Sequence, residues 1–256
     1  MQLELVPLLQ YQRELYAMPQ GYERFKSYLD TMLNPDRTDV DLAPLVIINP
    51  MGKPHLADYL ETLLALEAET ITAQTLAVVE KTLTAVPGSF RVGLAIADDL
   101  LGGWTNRYTS EFSLRFTPQT LYKRSWLSVT LWASEPPSAD LIRQAVLEAV
   151  YRAAYWQQHS HPKTLAEMMA QAGYAMAQAG RQTPTLSPED LDYTREVVAP
   201  YLNATDQPTL IACLFGDAAA HELGYPPQGL SDRAGLALAL YEARHPRQPK
   251  IKTDAE

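Results

Sequence analysis

The densest group of side chains that could do chemistry lies in residues 98–108. Carboxylates, glycines, an indole, an amide and a guanidinium occur together there: Asp98, Asp99, Gly102, Gly103, Trp104, Asn106 and Arg107. Paired glycines let a backbone approach a ligand closely, and a guanidinium fork matches a carboxylate or a phosphate. Adjacent carboxylates repel each other, so one of them could act as a proton donor. The segment therefore predicts a small-molecule site, with Asp98 and Asp99 as candidate catalytic groups and Trp104, Asn106 and Arg107 as candidate ligand contacts.

The same segment also fits ordinary turn chemistry. Aspartate and paired glycines are common in turns, and Arg107 could simply pair with Asp98 or Asp99. Leu100 and Leu101 favour packing against another surface over cradling a polar ligand. Both interpretations stay open on the sequence alone.

A second candidate segment runs from residue 49 to residue 55 and ends in Lys53, Pro54 and His55. It follows a predicted strand and leads into a predicted helix, where a helix start favours an anion. His55 is a candidate acid or base, since histidine exchanges protons near neutral pH. The spacing of a phosphate-binding P-loop is absent, and a turn with an exposed lysine and histidine is the alternative.

Metal and nucleophile motifs are incomplete in this chain. His221-Glu222 resembles half of a zinc-protease motif, but Tyr225 stands where the second histidine is required. His159 and His161 have no third ligand at a recognisable spacing, and Cys213 lies in an apolar run typical of a buried thiol. The serine-hydrolase and dinucleotide-binding fingerprints are missing as well. We expect no metal site, and neither a cofactor nor a reaction class is specified.

The charge balance disfavours nucleic acid and anionic membrane surfaces as partners. The chain has 30 acidic and 21 basic side chains, a formal net charge of −9, which repels phosphate groups. One cysteine excludes an intrachain disulfide framework. No signal-peptide pattern is visible near the first residues, and no apolar run reaches the roughly 18 residues of a membrane helix. We therefore expect a cytoplasmic protein.

The hydrophobic patterns predict an α+β fold. Apolar residues alternate with period two in three segments, 90–96, 108–116 and 125–133, and a continuous apolar run at 45–48 is typical of a buried strand. Successive strands without crossover helices indicate a small antiparallel sheet of about three to four strands. Helices are predicted at 22–33 and over 54–86, so that the sheet would be covered.

The second half of the chain is predicted to be helical. Helix starts are indicated at Ser138, Thr164 and Ser187, and two more helices at 209–223 and 231–243. We expect one globular domain over 1–243, with a sheet-containing part at 1–135 and a helical part at 138–243, and a flexible tail at 244–256.

Function is not determined by these patterns. They favour slightly a soluble small-molecule-binding protein or enzyme with its site in the turn at 98–108. The alternative is a non-catalytic interaction or scaffold protein that could self-associate as a homo-oligomer. It is motivated by 14 tyrosines and four tryptophans, residue types enriched at interfaces, with Trp104 in the docking surface.

Overall fold

The computed structural model describes residues 1–101 and 105–246. The chain divides into two compact units, the first spanning Met1–His161 and the second beginning at Pro162. The sheet lies in the first unit. The single domain that the sequence predicts over 1–243 stays a prediction, and residues 247–256 of the predicted tail lie outside the described residues.

The sheet of the first unit has three strands, β1 (Gln2–Leu5), β2 (Ser89–Ala97) and β3 (Trp126–Trp132), in the order β1-β2-β3. β2 and β3 confirm the strands predicted at 90–96 and 125–133. The predicted antiparallel sheet is wrong, because both strand pairs are parallel and helices dominate the fold. Parallel neighbours need long crossover connections, which here consist of helices.

The helices of the first unit divide into those between β1 and β2, those between β2 and β3, and one after β3. They are α1 (Leu9–Ala17), α2 (Tyr22–Met32), α3 (His55–Ala65), α4 (Ala68–Thr82), α5 (Arg107–Phe116), α6 (Gln119–Lys123) and α7 (Ala139–Gln158).

The predicted strand at 108–116 is wrong, because this segment forms α5. Phe112 and Phe116 alternate with period two, but they are also four residues apart and so share one helical face. Their ring centroids lie 5.3 Å apart. Glu111 and Arg115 form an ion pair of 2.8 Å at the same spacing, which supports a helix and has no equivalent along a strand.

The predicted strand at 45–48 is also wrong. Residues Ala43–Ile47 form a 3₁₀ helix that packs on the sheet beside Trp126. Pro44 has no N–H to give to a strand ladder, and its fixed φ suits the first turn of a helix. A short apolar run does not by itself distinguish a strand from another buried segment.

The two faces of the sheet are covered by different helices. On one face, Val92, Leu94 and Ile96 belong to the main core with α3, α4 and α7. On the other face, Ala95 and Trp126 pack with α1, α2 and the 3₁₀ helix. The alternation of side chains along β2 and β3 produces this division.

The helical prediction over 54–86 is confirmed as two helices, α3 and α4, which break where Glu67 adopts a left-handed φ of 53°. Among the described residues, no single helix has the length and apolar composition to cross a membrane. α3 and α4 reach that length and composition only together, and a bend of 54° separates them.

Two of the helix starts predicted in the second unit are confirmed, whereas the single helix predicted at 209–223 is two helices that meet at Gly216. Thr164 and Ser187 each accept a hydrogen bond from a backbone N–H of the first turn, as Ser138 does for α7 in the first unit. The helices are α8 (Leu165–Gln178), α9 (Pro188–Val198), α10 (Gln207–Phe215), α11 (Asp217–Glu222) and α12 (Ala234–Arg244), with a 3₁₀ turn at Ala199–Tyr201.

Candidate functional site

Four of the predicted site residues, His55, Asp98, Asp99 and Arg107, lie at the end of the sheet where the parallel strands finish. Asp98 and Asp99 follow β2 directly, and Ser134 and Glu135 follow β3 after one alanine. Parallel strands end on the same side, so these side chains share one edge. His55, the first residue of α3, reaches the same edge and contacts Asp98.

His55 and Asp98 form a pair in which the carboxylate is buried and the imidazole is partly exposed. The imidazole Nε2 lies 3.0 Å from the carboxylate Oδ1, and the exposed fractions of the two side chains are 23% and 1%. The same Oδ1 accepts the backbone N–H groups of Leu100 and Leu101, each at 3.1 Å. The backbone that follows Asp98 therefore fixes its carboxylate in the position from which it contacts the imidazole.

The pairing decides which nitrogen of His55 could exchange a proton. A carboxylate only accepts hydrogen bonds, so Nε2 carries the hydrogen that is shared with Asp98. In the neutral ring, Nδ1 then has a lone pair and can act as a base. Nδ1 of His55 and Oδ2 of Asp98 are both buried, and neither has a hydrogen-bond partner among the described residues. A carboxylate that orients an imidazole is a recurrent arrangement in general acid–base catalysis.

Arg107 joins the ends of β2 and β3 to the start of α5. Its Nη1 donates to Asp99 Oδ2 at 2.7 Å and to Ser134 Oγ at 2.8 Å, and its Nη2 pairs with Glu135. Its guanidinium lies 4.9 Å from the centroid of the Trp132 ring. The pairing of Arg107 with Asp99, one of the two sequence interpretations, is present in the structure, and the guanidinium fork is engaged by carboxylates of the chain itself.

Asp99 is held from several sides and is nearly enclosed. Its two carboxylate oxygens accept the backbone N–H of Ser134 at 2.9 Å and the hydroxyl of Ser134 at 2.6 Å, and its side chain is 4% exposed. These contacts tie the residue after β2 to the residue after β3. Asp99 therefore positions the edge, whereas Asp98 contacts His55.

The remaining predicted ligand contacts have different positions. The side-chain oxygen of Asn106 accepts the backbone N–H of Thr109 at 3.0 Å and so caps α5. Trp104 lies outside the described residues, together with Gly102 and Gly103. Their predicted role as ligand contacts stays a prediction.

Tyr59 belongs to the same edge and was missed by the sequence analysis. It lies one helical turn after His55, and its buried hydroxyl has no hydrogen-bond partner among the described residues. Burial raises the pKa of this phenol, the carboxylates of Glu135 and Asp99 raise it further, and Arg107 opposes them. Tyr59 is therefore a neutral hydrogen-bond donor at physiological pH. The spacing of four residues from His55 on a predicted helix was the available signal.

A row of ion pairs with alternating charges extends from this end of the sheet between α5 and α7. Arg107 lies 3.6 Å from Glu111, which pairs with Arg115 at 2.8 Å. Arg115 then pairs with Glu148, and Glu148 pairs with Arg152 at 3.0 Å. The side chains from Glu111 to Arg152 are at most 11% exposed. Buried charges are tolerated when they are paired in this way, so this row of ion pairs fixes α5 against α7.

The histidines and the cysteine that the sequence analysis set aside have the following surroundings. The rings of His159 and His161 contact Tyr155 and Trp156, with centroid distances of 4.0 Å and 3.4 Å. His221 lies in the last turn of α11. Within residues 1–101 and 105–246, no three metal-binding side chains come together. The thiol of Cys213 is buried, and burial raises its pKa to about 12.

Comparison with protein-family models, with the curated proteins and with the solved structures finds no match. Function therefore has to be inferred from the residues of this chain.

Proposed function

We propose that this chain binds a small molecule at the carboxyl edge of its sheet and exchanges a proton with it through His55. The observation that supports this proposal is the contact of 3.0 Å between His55 Nε2 and the buried Asp98. In open sheets with parallel strands, ligands bind outside the carboxyl ends of the strands. The two residues are 43 positions apart in sequence, so only the fold brings them together.

The neighbouring groups suit a proton transfer. Nδ1 of His55 is the basic atom, and the neutral phenol of Tyr59 can donate a hydrogen bond to an oxygen that gains charge. Both atoms are buried, so the proposal requires the side chains around them to move when the ligand binds. Asp98 stabilises the imidazolium that forms when His55 takes a proton. Arg107 and Asp99 hold the strand ends in place and do not themselves need to touch the ligand.

The experiment detects turnover of a substrate whose identity is not specified in advance. Purified protein is incubated with a low-molecular-weight cell extract, and compounds that are consumed or formed are followed by mass spectrometry. The variants are His55→Gln and Asp98→Asn, and the matched control is His221→Gln on the exposed end of α11. Loss of a general base lowers a rate by roughly 10²–10⁴-fold, so the two site variants should fail to consume a compound that wild type and the control consume.

The Asp98→Asn variant tests the role of the negative charge beside His55. One oxygen of Asp98 contacts Nε2 and also accepts the N–H groups of Leu100 and Leu101, so an amide oxygen in its place keeps these three contacts and the tautomer, and only the charge that stabilises the imidazolium is lost. Turnover that is equal in wild type and His55→Gln would contradict the proposal, and so would an extract that wild type leaves unchanged.

The second candidate is a non-catalytic protein that self-associates through the same turn. Leu100 and Leu101 are adjacent and are 56% and 54% exposed, so together they present an apolar surface. Their backbone N–H groups bond to Asp98, so the double variant Leu100→Ser/Leu101→Ser changes only the exposed surface. A fall from dimer to monomer mass in light scattering would support this candidate. A monomeric wild type, or a dimer that the variant leaves intact, would contradict it.

A further inference from the structure

A groove of about 560 Å³ opens between the 3₁₀ helix, α5, α6 and β3 of the first unit. Small-molecule sites generally have volumes of about 300–1,000 Å³. Neither His55 nor Asp98 is among the described residues that line this groove. It shares with the segment 98–108 the residues Thr105 and Asn106.

The two walls of the groove differ in chemistry. The 3₁₀ helix supplies an apolar wall, in which Val46 is 54% exposed and lies beside Pro44 and Ile47. The other side is rich in hydroxyl groups from α5 and the segment just before it, from α6 and from β3. These are the side chains of Thr105, Thr109, Ser110, Ser113, Thr120 and Ser128.

Ser128 in β3 has a buried Oγ without a hydrogen-bond partner among the described residues. Thr130 lies two positions further along β3 and so on the same face of the strand. Its Oγ1 is buried and lacks a partner among the described residues as well. Buried hydroxyls are normally hydrogen-bonded, so a ligand oxygen or N–H that meets Ser128 would satisfy a group that the fold leaves unmatched.

Charge restricts the kind of ligand. Among the described residues that line the groove, the only charged side chain is that of Arg124. Arg124 Nη1 donates to Asp39 Oδ2 at 2.6 Å and to the backbone carbonyl of Val40 at 2.9 Å. Its charge is therefore already neutralised, and the described walls offer no counter-ion for a charged ligand.

We propose that this groove binds an uncharged small molecule that has hydroxyl groups on one side and hydrocarbon on the other. The hydrocarbon side packs against the 3₁₀ helix, and the hydroxyl side meets Ser128 and the serines and threonines of α5. This site is independent of proton exchange at His55, because the described walls of the groove include neither member of the His55–Asp98 pair.

Two pairs of probes test the chemistry of the ligand. Phenyl β-D-glucopyranoside and adenosine are uncharged, and each has a hydroxylated part and a flat aromatic part. Phenyl β-D-glucuronide and adenosine 5′-monophosphate differ from them mainly by an added negative charge. Saturation-transfer NMR and titration of backbone amide shifts should show binding of at least one uncharged probe, with shifts at Ser110 and Ser128, and at least tenfold weaker binding of its charged counterpart.

Variants of the groove separate binding from folding. Ser128→Ala removes a buried hydroxyl that has no partner among the described residues, so it should fold and should weaken binding about two- to tenfold, the effect of one lost hydrogen bond. Val46→Asp puts a charge on the exposed apolar wall, and we expect it to abolish binding without unfolding the protein. The control Ser89→Ala, on the exposed first residue of β2, should bind like wild type. Failure of both uncharged probes to bind, equal binding of the charged probes, or unchanged binding in Val46→Asp would overturn the proposal.

Discussion

Gln12 of α1 forms hydrogen bonds with β2 where no strand pairs with it. Replacing Gln12 therefore tests how much these bonds contribute to the stability of the fold. β1 pairs with β2 only as far as Val92, and the chain then turns away. Further along the same side of β2, Gln12 Nε2 donates to the carbonyl of Leu94 at 2.8 Å, and Gln12 Oε1 accepts the N–H of Ile96 at 2.9 Å. The side chain is 1% exposed, so water does not replace these bonds.

We expect Gln12→Met to lower the free energy of unfolding by about 3 kcal/mol. Methionine has a similar length but cannot bond to β2, so one carbonyl and one N–H are left buried and unpaired. Each such group costs about 1–3 kcal/mol, and part of this cost is offset because the polar amide is no longer buried. Since about 1 kcal/mol shifts Tm by roughly 2–4 °C for a protein of 150–250 residues, Tm should fall by roughly 6–12 °C.

Urea unfolding followed by tryptophan fluorescence measures this cost, because Trp126 and Trp132 are buried in β3. Hydrogen exchange at the amide of Ile96 gives a local measurement at the bond that is lost. Gln10→Met is the matched control on the same helix, since Gln10 is exposed and bonds only to Glu14 among the described residues. It should change stability by less than about 0.5 kcal/mol. An equal effect of both variants would refute the role assigned to Gln12.

Three further predictions concern the row of ion pairs between α5 and α7, the packing of the second unit, and the pH dependence of stability. Glu148→Gln removes the carboxylate that Arg115 and Arg152 share, and we expect a loss of about 3–5 kcal/mol in urea unfolding. Gly173→Ala would place a Cβ 2.3 Å from a backbone carbonyl oxygen of α12. Urea unfolding followed by circular dichroism should therefore show a free energy of unfolding lower by about 1–3 kcal/mol. Hydrogen bonds from backbone N–H groups at the start of α8 lower the pKa of Glu167, so its stabilising effect is full well above the ordinary pKa and is lost as pH falls through the lowered value. The stability difference between wild type and Glu167→Gln should therefore be present at pH 7 and disappear in acid; a difference that persists or grows in acid would contradict it.

Much of the secondary structure could be predicted from the sequence, but the topology could not. Period two in 90–96 and 125–133 identifies β2 and β3, and the capping residues Ser138, Thr164 and Ser187 identify the later helices. β1 was missed because a strand of four residues is too short to show a period.

The error at 108–116 changed the topology as well as one element. A strand there leaves three strands in succession, which favours an antiparallel meander. A helix there turns the same connection into a crossover, and the strands on either side become parallel. Phe112 and Phe116 fit both periods, so the hydrophobic pattern did not decide between them. The spacing of four residues between the opposite charges of Glu111 and Arg115, which form an ion pair in the structure, was the signal for a helix.

The site could be predicted only as far as its residues lie together in sequence. Asp98, Asp99 and Arg107 were selected because they stand close together, and His55 because histidine exchanges protons. Ser134 and Glu135 were missed because nothing near them in sequence marks them as polar groups of a site, and Tyr59 was missed because its only signal was its spacing of four residues from His55. These residues come together only because the carboxyl ends of β2 and β3 lie on the same side of the sheet.

The parallel arrangement is what allows Arg107 to contact the ends of two strands. In an antiparallel pair, the end of β2 and the end of β3 would lie at opposite edges, separated by the length of a seven-residue strand, roughly 23 Å. Arg107 could not then pair with both Asp99 and Glu135, as it does here. Asp98, next to Asp99, would still follow β2, but it would lack the polar groups that follow β3. The parallel direction of β2 and β3 therefore also explains why the polar residues after both strands form a single site.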